Sequence, residues 1–244
     1  MAEQRKTMTG GRVLITRPEP SASLTAAKLA DLGFSPVSLP VSRTVALEFS
    51  IKNQLFDALV VTSANAFRHV PNEQLQPLKT LPLFAVGEGT ARAAQEAGFR
   101  TVIEGGGDAV RLAAKMAEVL PKGAEVLYLA GRVRQPVFEH QVSKTDLTMI
   151  VRDVYGIETI DYSVNEIKTA LDQGPFVAVL VYSAVAAKLF VELMQKAGAQ
   201  FDVKTRFLCI SGRVADCLPE EWRAQALIAD HPDESGIFRL FSKL

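Results

Sequence analysis

The chain has 244 residues, of which 48% are hydrophobic and 22% are charged, and its 27 basic and 27 acidic side chains cancel. This length allows one large domain or two small ones. The charge balance argues against a general nucleic-acid-binding surface, which needs an excess of lysine and arginine, although a single basic cleft stays possible. The polar start lacks the apolar core of a secretory signal, and the apolar runs are too short to span a membrane. We therefore expect a cytoplasmic protein with no nucleic-acid or membrane partner.

Short apolar runs alternate with helix-like segments along the chain, which predicts repeated strand–helix units. The first strand is expected at 13–15. The segment 23–32 predicts a helix whose one side carries Leu24, Ala27, the stem of Lys28 and Leu32. Further strands are expected at 56–63, 83–86, 101–103, 126–129, 151–157, 176–183, 206–212 and 226–229. Further helices are expected at 66–70, 91–97, 109–120, 137–142 and 235–241. The glycines at 105–107 are interpreted as a flexible loop.

These units form an internal repeat. The segments 57–63, 83–87 and 102–112 return in the same order as 177–183, 207–211 and 228–238, and the strand–turn segments 13–17 and 126–132 form a further pair. The strand–helix units form two equal sets only if the segment 13–39 is grouped with the C-terminal units. The sequence therefore predicts an α/β protein with two similar, doubly wound parallel-sheet domains. Their residues are 11–42 plus 162–244 for one domain and 43–161 for the other, with crossings at 43–49 and 154–164.

A hinge of two crossings favours a cleft in which a ligand touches both domains. Within each domain, open α/β sheets bind ligands where strands end and helices begin. Ser63 and Ser183 end the two matching apolar runs and lack the context of a nucleophile elbow, so we interpret them as helix caps and ligand hydrogen-bond donors. Arg17 and Arg132 recur at two strand ends, which makes them candidates for carboxylate or phosphate recognition.

Other motifs do not indicate a cofactor or a metal. Gly87-Glu88-Gly89-Thr90 resembles part of a dinucleotide fingerprint, but the third glycine and the acidic residue about 20 positions later are missing. These glycines instead favour the approach of an anion to a helix start. The histidines, at 69, 140 and 231, share no metal-ligand spacing. Cys209 and Cys217 are interpreted as small buried residues in a reducing cytosol rather than as a disulfide or a metal site.

The combined pattern resembles the uroporphyrinogen-III synthase family over nearly the whole chain. The resemblance is carried by Val-Leu-Ile-Thr-Arg-Pro at 13–18, Leu-Pro at 39–40, the run 57–64 with its Thr-Ser-Ala, Ala-Val-Gly-Glu-Gly-Thr-Ala at 85–91, Gly-Arg at 131–132, Val-Tyr at 154–155, Tyr-Ser at 182–183, and the closing segment 229–240. The loop 211–215 departs from the family pattern because Val214 stands where a threonine is usual.

The resemblance implies a cofactor-free, cyclising lyase of tetrapyrrole biosynthesis that acts on a linear tetrapyrrole polycarboxylate, hydroxymethylbilane. We expect a monomer because the sequence shows no separate apolar surface stripe. Such an enzyme removes water, forms a spiro intermediate and inverts ring D. Tyr155 matches the family's proposed proton donor, and a tyrosine with an ordinary pKa of about 10 is protonated at neutral pH. The implied substrate-binding residues are Thr16, Arg17, Thr62, Ser63, Ala64, Gly87, Gly89, Thr90, Gly131, Arg132, Ser183, Ala184, Ser211 and Gly212.

Two other functions stay open at this point. A non-catalytic two-domain protein that closes on an anionic ligand would have the same glycine loops. A nucleotide-dependent α/β enzyme is disfavoured by the incomplete fingerprint. Identification of the product formed from hydroxymethylbilane separates all three possibilities.

Overall fold

A computed structural model describes residues 10–51, 54–172 and 174–244. Among these residues the strands are β1 (Arg12–Ile15), β2 (Ser35–Ser38), β3 (Ser42–Ala46), β4 (Ala58–Val61), β5 (Leu83–Ala85), β6 (Val102–Glu104), β7 (Glu125–Gly131), β8 (Thr148–Thr159), β9 (Phe176–Val181), β10 (Arg206–Cys209) and β11 (Ala226–Ile228). The helices are α1 (Ser21–Asp31), α2 (Asn65–His69), α3 (Asn72–Leu75), α4 (Glu88–Glu96), α5 (Ala109–Val119), α6 (Val137–Val142), α7 (Val164–Leu171), α8 (Ala184–Ala197), α9 (Gly212–Ala215), α10 (Glu220–Arg223) and α11 (Glu234–Arg239). Two short 3-10 helices follow α3 and α11, at Gln76–Leu78 and Leu240–Lys243.

The chain forms two compact units. The first unit contains the described residues up to Arg43 together with Glu158–Leu244, and the second unit is Thr44–Ile157. The boundaries fall inside β3 and β8, so these two paired strands carry the chain from one unit to the other. The N–H of Leu47 donates to the Val154 carbonyl and the N–H of Ile160 to the Val41 carbonyl, so the two segments run in opposite directions.

The first unit is built on a parallel sheet with the strand order β11-β10-β9-β1-β2 among the described residues. Successive side chains of a strand point to opposite faces, and both faces here are apolar. Leu14, Val179 and Phe207 pack in one core cluster with residues of α7 and α8. Ala178 and Leu208 pack in the other with residues of α1 and α11. Helices therefore cover this sheet on both faces.

The second unit repeats this arrangement, with the strand order β3-β8-β7-β4-β5-β6 among the described residues and with parallel pairing from β8 to β6. Leu59 and Leu127 pack against residues of α2 to α4, whereas Val60 and Val126 pack against residues of α5 and α6. Strands β4, β5 and β6 hold the places that β9, β10 and β11 hold in the first unit, and β7 holds the place of β1. The predicted fold class of two similar doubly wound α/β sheets is confirmed.

Some local predictions were wrong. The buried face of α1 consists of Ala22, Thr25 and Leu29, whereas Leu24 and Leu32 are exposed. Small residues are used there because α1 lies close against β1 and β2. Strand β3 takes up part of the predicted crossing 43–49, and the sequence analysis did not predict the helix α7. A capping box between Ser163 and Glu166 begins α7.

The loop 105–107 is not free, because it is tied to the end of β5. The N–H of Gly105 donates to the Ala85 carbonyl at 2.8 Å, and the N–H of Gly107 donates to the Val86 carbonyl at 2.7 Å. A Cβ atom at Gly105 would lie 2.8 Å from the Cα of Leu112 on α5, so only glycine allows this close approach of loop and helix. The loop is thus held in one position beside the start of α4 and is not a flexible connector.

Candidate active-site residues in the two units

The predicted site residues of the first unit lie at the carboxyl ends of β1, β9 and β10. Because these three strands are parallel neighbours, their following loops emerge at the same edge of the sheet. Thr16 itself is fully buried, and its hydroxyl donates to the Leu180 carbonyl at 2.8 Å, so this side chain ties β1 to β9. We call the residues Thr16, Arg17, Ser183, Ala184, Ser211 and Gly212 the carboxyl edge of the first unit.

Arg17 is held by an internal polar cluster. Its Nη1 donates to Glu234 Oε1 at 2.9 Å and to Thr25 Oγ1 at 3.1 Å, and its guanidinium lies 4.1 Å from the ring centroid of Tyr182. Lys28 also forms an ion pair with Glu234. Partial burial by itself raises the pKa of Glu234, but hydrogen bonds from Lys28 and Thr25 and the charges of Lys28 and Arg17 outweigh it, so the pKa is lowered. Arg17 thus links β1, α1 and α11.

Ser183 begins the long helix α8, as predicted. Its hydroxyl accepts the N–H of Ala186 at 3.0 Å, its side chain is exposed, and Ala184 is the first helical residue. Ser211 is the N-cap of α9, and its carbonyl accepts the N–H of Val214. An added Cβ at Gly212 would meet an atom no closer than 4.0 Å, so this position is open. The side chain of Val214 is buried in the core of the unit, so it presents nothing to a ligand.

In the second unit the predicted residues lie at or just after the carboxyl ends of β4, β5 and β7, which are also parallel neighbours. We call Thr62, Ser63, Ala64, Gly87, Gly89, Thr90, Gly131 and Arg132 the carboxyl edge of the second unit. Thr62 shares a 2.7 Å hydrogen bond with the hydroxyl of Tyr128. Burial raises the pKa of Tyr128 above its usual value, although the bond to Thr62 opposes the shift. The Ser63 hydroxyl accepts the N–H of Asn65 at 3.3 Å, but Ala64 is the N-cap of α2 and no side chain caps this helix, so the predicted cap role of Ser63 is wrong.

The glycines after β5 place no side chains of their own at the start of α4. Gly87 is the N-cap of α4, and its carbonyl accepts the N–H groups of Thr90 and Ala91. A Cβ at Gly89 would meet no atom within 4 Å, whereas a Cβ at Gly87 would lie 3.4 Å from the Cα of Gly107. Thr90 is buried on the inner side of the helix. The open positions here are therefore backbone groups rather than hydroxyls.

Tyr155 lies directly over the backbone of Gly131. The two residues are paired in the β7–β8 register, and the N–H of Arg132 donates to the Tyr155 carbonyl at 2.9 Å. A Cβ at Gly131 would lie 2.6 Å from Cζ and 2.7 Å from the hydroxyl oxygen of Tyr155. The imidazole of His69 stacks on the tyrosine ring, with centroids 5.8 Å apart and planes at 28°. Among the described residues, the Tyr155 hydroxyl has no hydrogen-bond partner.

The two arginines after β7 have different environments. The side chain of Arg132 is 64% exposed and lies 3.8 Å from Asp153. Arg134 is mostly covered: its Nη1 donates to the Gly131 carbonyl at 2.8 Å and to Asp153 at 2.7 Å, and its Nε bonds Glu139. Burial alone lowers the pKa of Arg134, but bonds to both carboxylates raise it above the ordinary value. Arg132 is thus available to a ligand, whereas Arg134 fixes the turn that holds Gly131.

The structure brings together residues that the sequence analysis did not select. His69 stacks on Tyr155, and Thr44 forms a hydrogen bond with His69. Arg134 donates to the Gly131 carbonyl. No spacing in the sequence indicates these contacts. In the parts of the chain that the structure covers, no group of three or more histidine, cysteine or carboxylate side chains has the arrangement of a metal site. No helix within those same ranges is long and apolar enough to cross a membrane.

A comparison with family models identifies the family to which the chain belongs. The family model described as uroporphyrinogen-III synthase HemD matches residues 23–239. The chain belongs to the uroporphyrinogen-III synthase family. Its activity is accordingly that of a cyclising lyase of tetrapyrrole biosynthesis. No curated protein sequence matches the chain significantly.

Solved structures of uroporphyrinogen-III synthases have the same fold. The uroporphyrinogen-III synthetase from Helicobacter pylori is 18% identical, with a TM-score of 0.66 over 95% of this chain and 98% of that one. A mutant uroporphyrinogen III synthase from the extremely thermophilic bacterium Thermus thermophilus is also 18% identical, with a TM-score of 0.53 over 96% of this chain and 98% of that one. At this identity the likeness concerns the architecture, and the roles of individual residues must come from the geometry above.

Proposed function

We propose that this uroporphyrinogen-III synthase uses Tyr155 to donate the proton with which the terminal hydroxyl of hydroxymethylbilane leaves as water. The observation that carries the proposal is the state of the Tyr155 side chain. Its ring lies against the Gly131 backbone and stacks on the His69 imidazole, while its hydroxyl is bound to none of the described residues. A rigid ring with an uncommitted O–H group is suited to general acid catalysis.

The proposed reaction conserves atoms and charge. The tyrosine O–H bond and the substrate C–O bond break together, and the pyrrole nitrogen supplies the electron pair that forms the azafulvene. The substituted carbon of ring D then attacks and gives the spiro intermediate. The bond between the spiro carbon of ring D and the methylene of ring C then breaks, ring D inverts, and its other α-carbon forms the closing bond to that methylene. The proton lost when this pyrrole regains aromaticity restores the phenol, so one water is the net loss.

Control of substrate conformation is the second proposed task. The linear substrate is flexible and closes unaided to the type I isomer, so the enzyme must hold the chain in one conformation. We assign carboxylate binding to the residues named above at the carboxyl edges of the two units. Support comes from the exposed Arg132 and from the N-terminus of α8, where Ser183 is exposed and several N–H groups lack intrahelical partners. Arg17 and Thr16 have an indirect role, because the hydrogen bonds of their side chains within the first unit hold the backbone after β1 in place.

The experiment is a comparison of Tyr155→Phe with Tyr162→Phe. We expect Tyr155→Phe to lower kcat for the type III product by about 10²–10⁴-fold with a small change in KM, because the proton donor is lost. Tyr162, which belongs to neither carboxyl edge, donates to the Pro40 carbonyl, so its variant controls for removal of a tyrosine hydroxyl. Unchanged turnover in Tyr155→Phe would transfer the acid role to another group.

The remaining parts of the proposal concern the state of the protein. We propose that the enzyme acts as a cytoplasmic monomer on its small-molecule substrate, without nucleic-acid or membrane partners, and that the paired strands β3 and β8 act as a hinge. Both Cys209 and Cys217 are free thiols, which suits a reducing compartment. Equilibrium sedimentation with and without substrate tests the monomer, because association would give a mass above that of one chain.

A further inference from the structure

Tyr155 has two contacts of different kinds. The backbone of Gly131 lies against the ring, and β7 and β8 fix that backbone through their parallel pairing. The imidazole of His69, at the end of the short helix α2, stacks on the ring. The position of the Tyr155 hydroxyl therefore depends in part on a side chain that can itself rotate.

Rotation of His69 is restricted by a second contact. Its Nε2 lies 2.8 Å from Oγ1 of Thr44, at the start of the second unit's portion of β3. Burial, and then the charge of Arg68, lower the pKa of His69, so the ring is neutral at neutral pH and places no cation beside the phenol. A neutral imidazole can exchange one hydrogen bond with a threonine hydroxyl and still stack through its face.

We propose that His69, oriented by Thr44, is a positioning residue that holds the Tyr155 ring in the geometry needed for proton donation. This inference rests on the proposed role of Tyr155. It assigns His69 no contact with the substrate and no proton transfer. The physical requirement is the steep dependence of catalysis on position, since a displacement of about 1 Å can lower a rate by about 10²-fold. Loss of one of the two surfaces that confine the ring is expected to have part of that effect.

The test uses three single variants and one control. His69→Ala removes the stacked ring, and we expect kcat for the type III product to fall about tenfold while KM changes by less than about threefold. His69→Phe keeps a flat ring and should retain more activity than His69→Ala. Thr44→Val removes only the hydrogen bond, and its kcat should lie between those of His69→Ala and the wild type. His140→Ala, which changes a histidine on α6, should leave kcat and KM unchanged.

A double variant separates positioning from a general loss of structure. Without the phenol hydroxyl there is no donor to position, so His69→Ala should not lower kcat further in the Tyr155→Phe background. A purely structural role would lower kcat by the same factor in both backgrounds. That result, or full activity of His69→Ala, would overturn the inference. If His69→Ala does not fold, the same comparison of the two backgrounds is made with Thr44→Val. An unchanged kcat in Tyr155→Phe alone would instead refute the acid role of Tyr155.

Discussion

Replacing Gly131 with alanine places a methyl group where the ring of Tyr155 now lies. The new Cβ would be 2.6 Å from Cζ and 2.7 Å from the hydroxyl oxygen, whereas ordinary contact begins at 3.4 Å. The hydroxyl end of the ring must therefore retreat by about 0.8 Å, or β7 and β8 must separate locally. Strain of this kind in a packed region destabilises a protein by about 1–3 kcal/mol.

The catalytic effect of this displacement should be of the same order as its effect on folding. A shift close to 1 Å corresponds to a loss of about 10–10²-fold in rate, or about 1.4–2.7 kcal/mol in the activation free energy. We expect kcat for the type III isomer of Gly131→Ala to fall by this factor while the circular dichroism spectrum is retained. The spontaneous type I product should then form a larger share of the total, because it needs no enzyme.

The control is Gly156→Ala on the same strand. A Cβ there would be 3.5 Å from Leu47, an ordinary contact, and it would point to the opposite face of β8 from Tyr155. We expect kcat and the isomer ratio of Gly156→Ala to match those of the wild type. A wild-type kcat in Gly131→Ala, or an equal loss in both variants, would refute the conclusion that this close contact sets the position of the hydroxyl.

Other consequences concern stability, pH and thiol chemistry. Ser183→Ala and Ser163→Ala each remove a helix cap and should lower the free energy of unfolding by about 1 kcal/mol in denaturant titrations, but only Ser183→Ala should also raise KM. The pKa of Glu234 is lowered, so its carboxylate contributes full stability above its ordinary value of 4.5 and progressively less as the pH falls toward the lowered value. Glu234→Gln should flatten the pH dependence of unfolding in that acidic range, and a profile unchanged from the wild type would contradict the ion-pair cluster. Burial raises the pKa of Cys209 to about 12, so this thiol should resist alkylation at neutral pH until the protein is unfolded; rapid labelling of Cys209 in the native state would show that the site opens.

The fold class could be predicted from the sequence because the repeat is visible as matching apolar segments. The match between 57–63 and 177–183 corresponds to β4 and β9, which occupy equivalent places in their sheets. The second pair, 13–17 and 126–132, allowed the units to be divided into two equal sets. In the structure β1 pairs with β9, although about 160 residues separate the two strands. Periodicity did not give the packing face of α1, since the small residues Ala22 and Thr25 carry little hydropathy signal.

The candidate site was less accessible to sequence reasoning. Strand ends are visible in the sequence, so the positions of the loop residues followed from the strands themselves. The environment of each side chain depends on long-range contacts, and the sequence does not show these. Nothing near Arg17 indicates that Glu234, over 200 residues later, holds its guanidinium. His69 lies 86 residues from Tyr155, and only the fold brings the two rings together.

The most direct test of the proposed function is the identity of the product formed by the purified wild-type chain. The protein is incubated with hydroxymethylbilane without additives, the product is oxidised, and the porphyrin isomers are separated by chromatography against an enzyme-free control. We expect predominantly the type III isomer, in amounts that rise with enzyme concentration at the expense of type I. Pure type I product at every enzyme concentration would contradict this function.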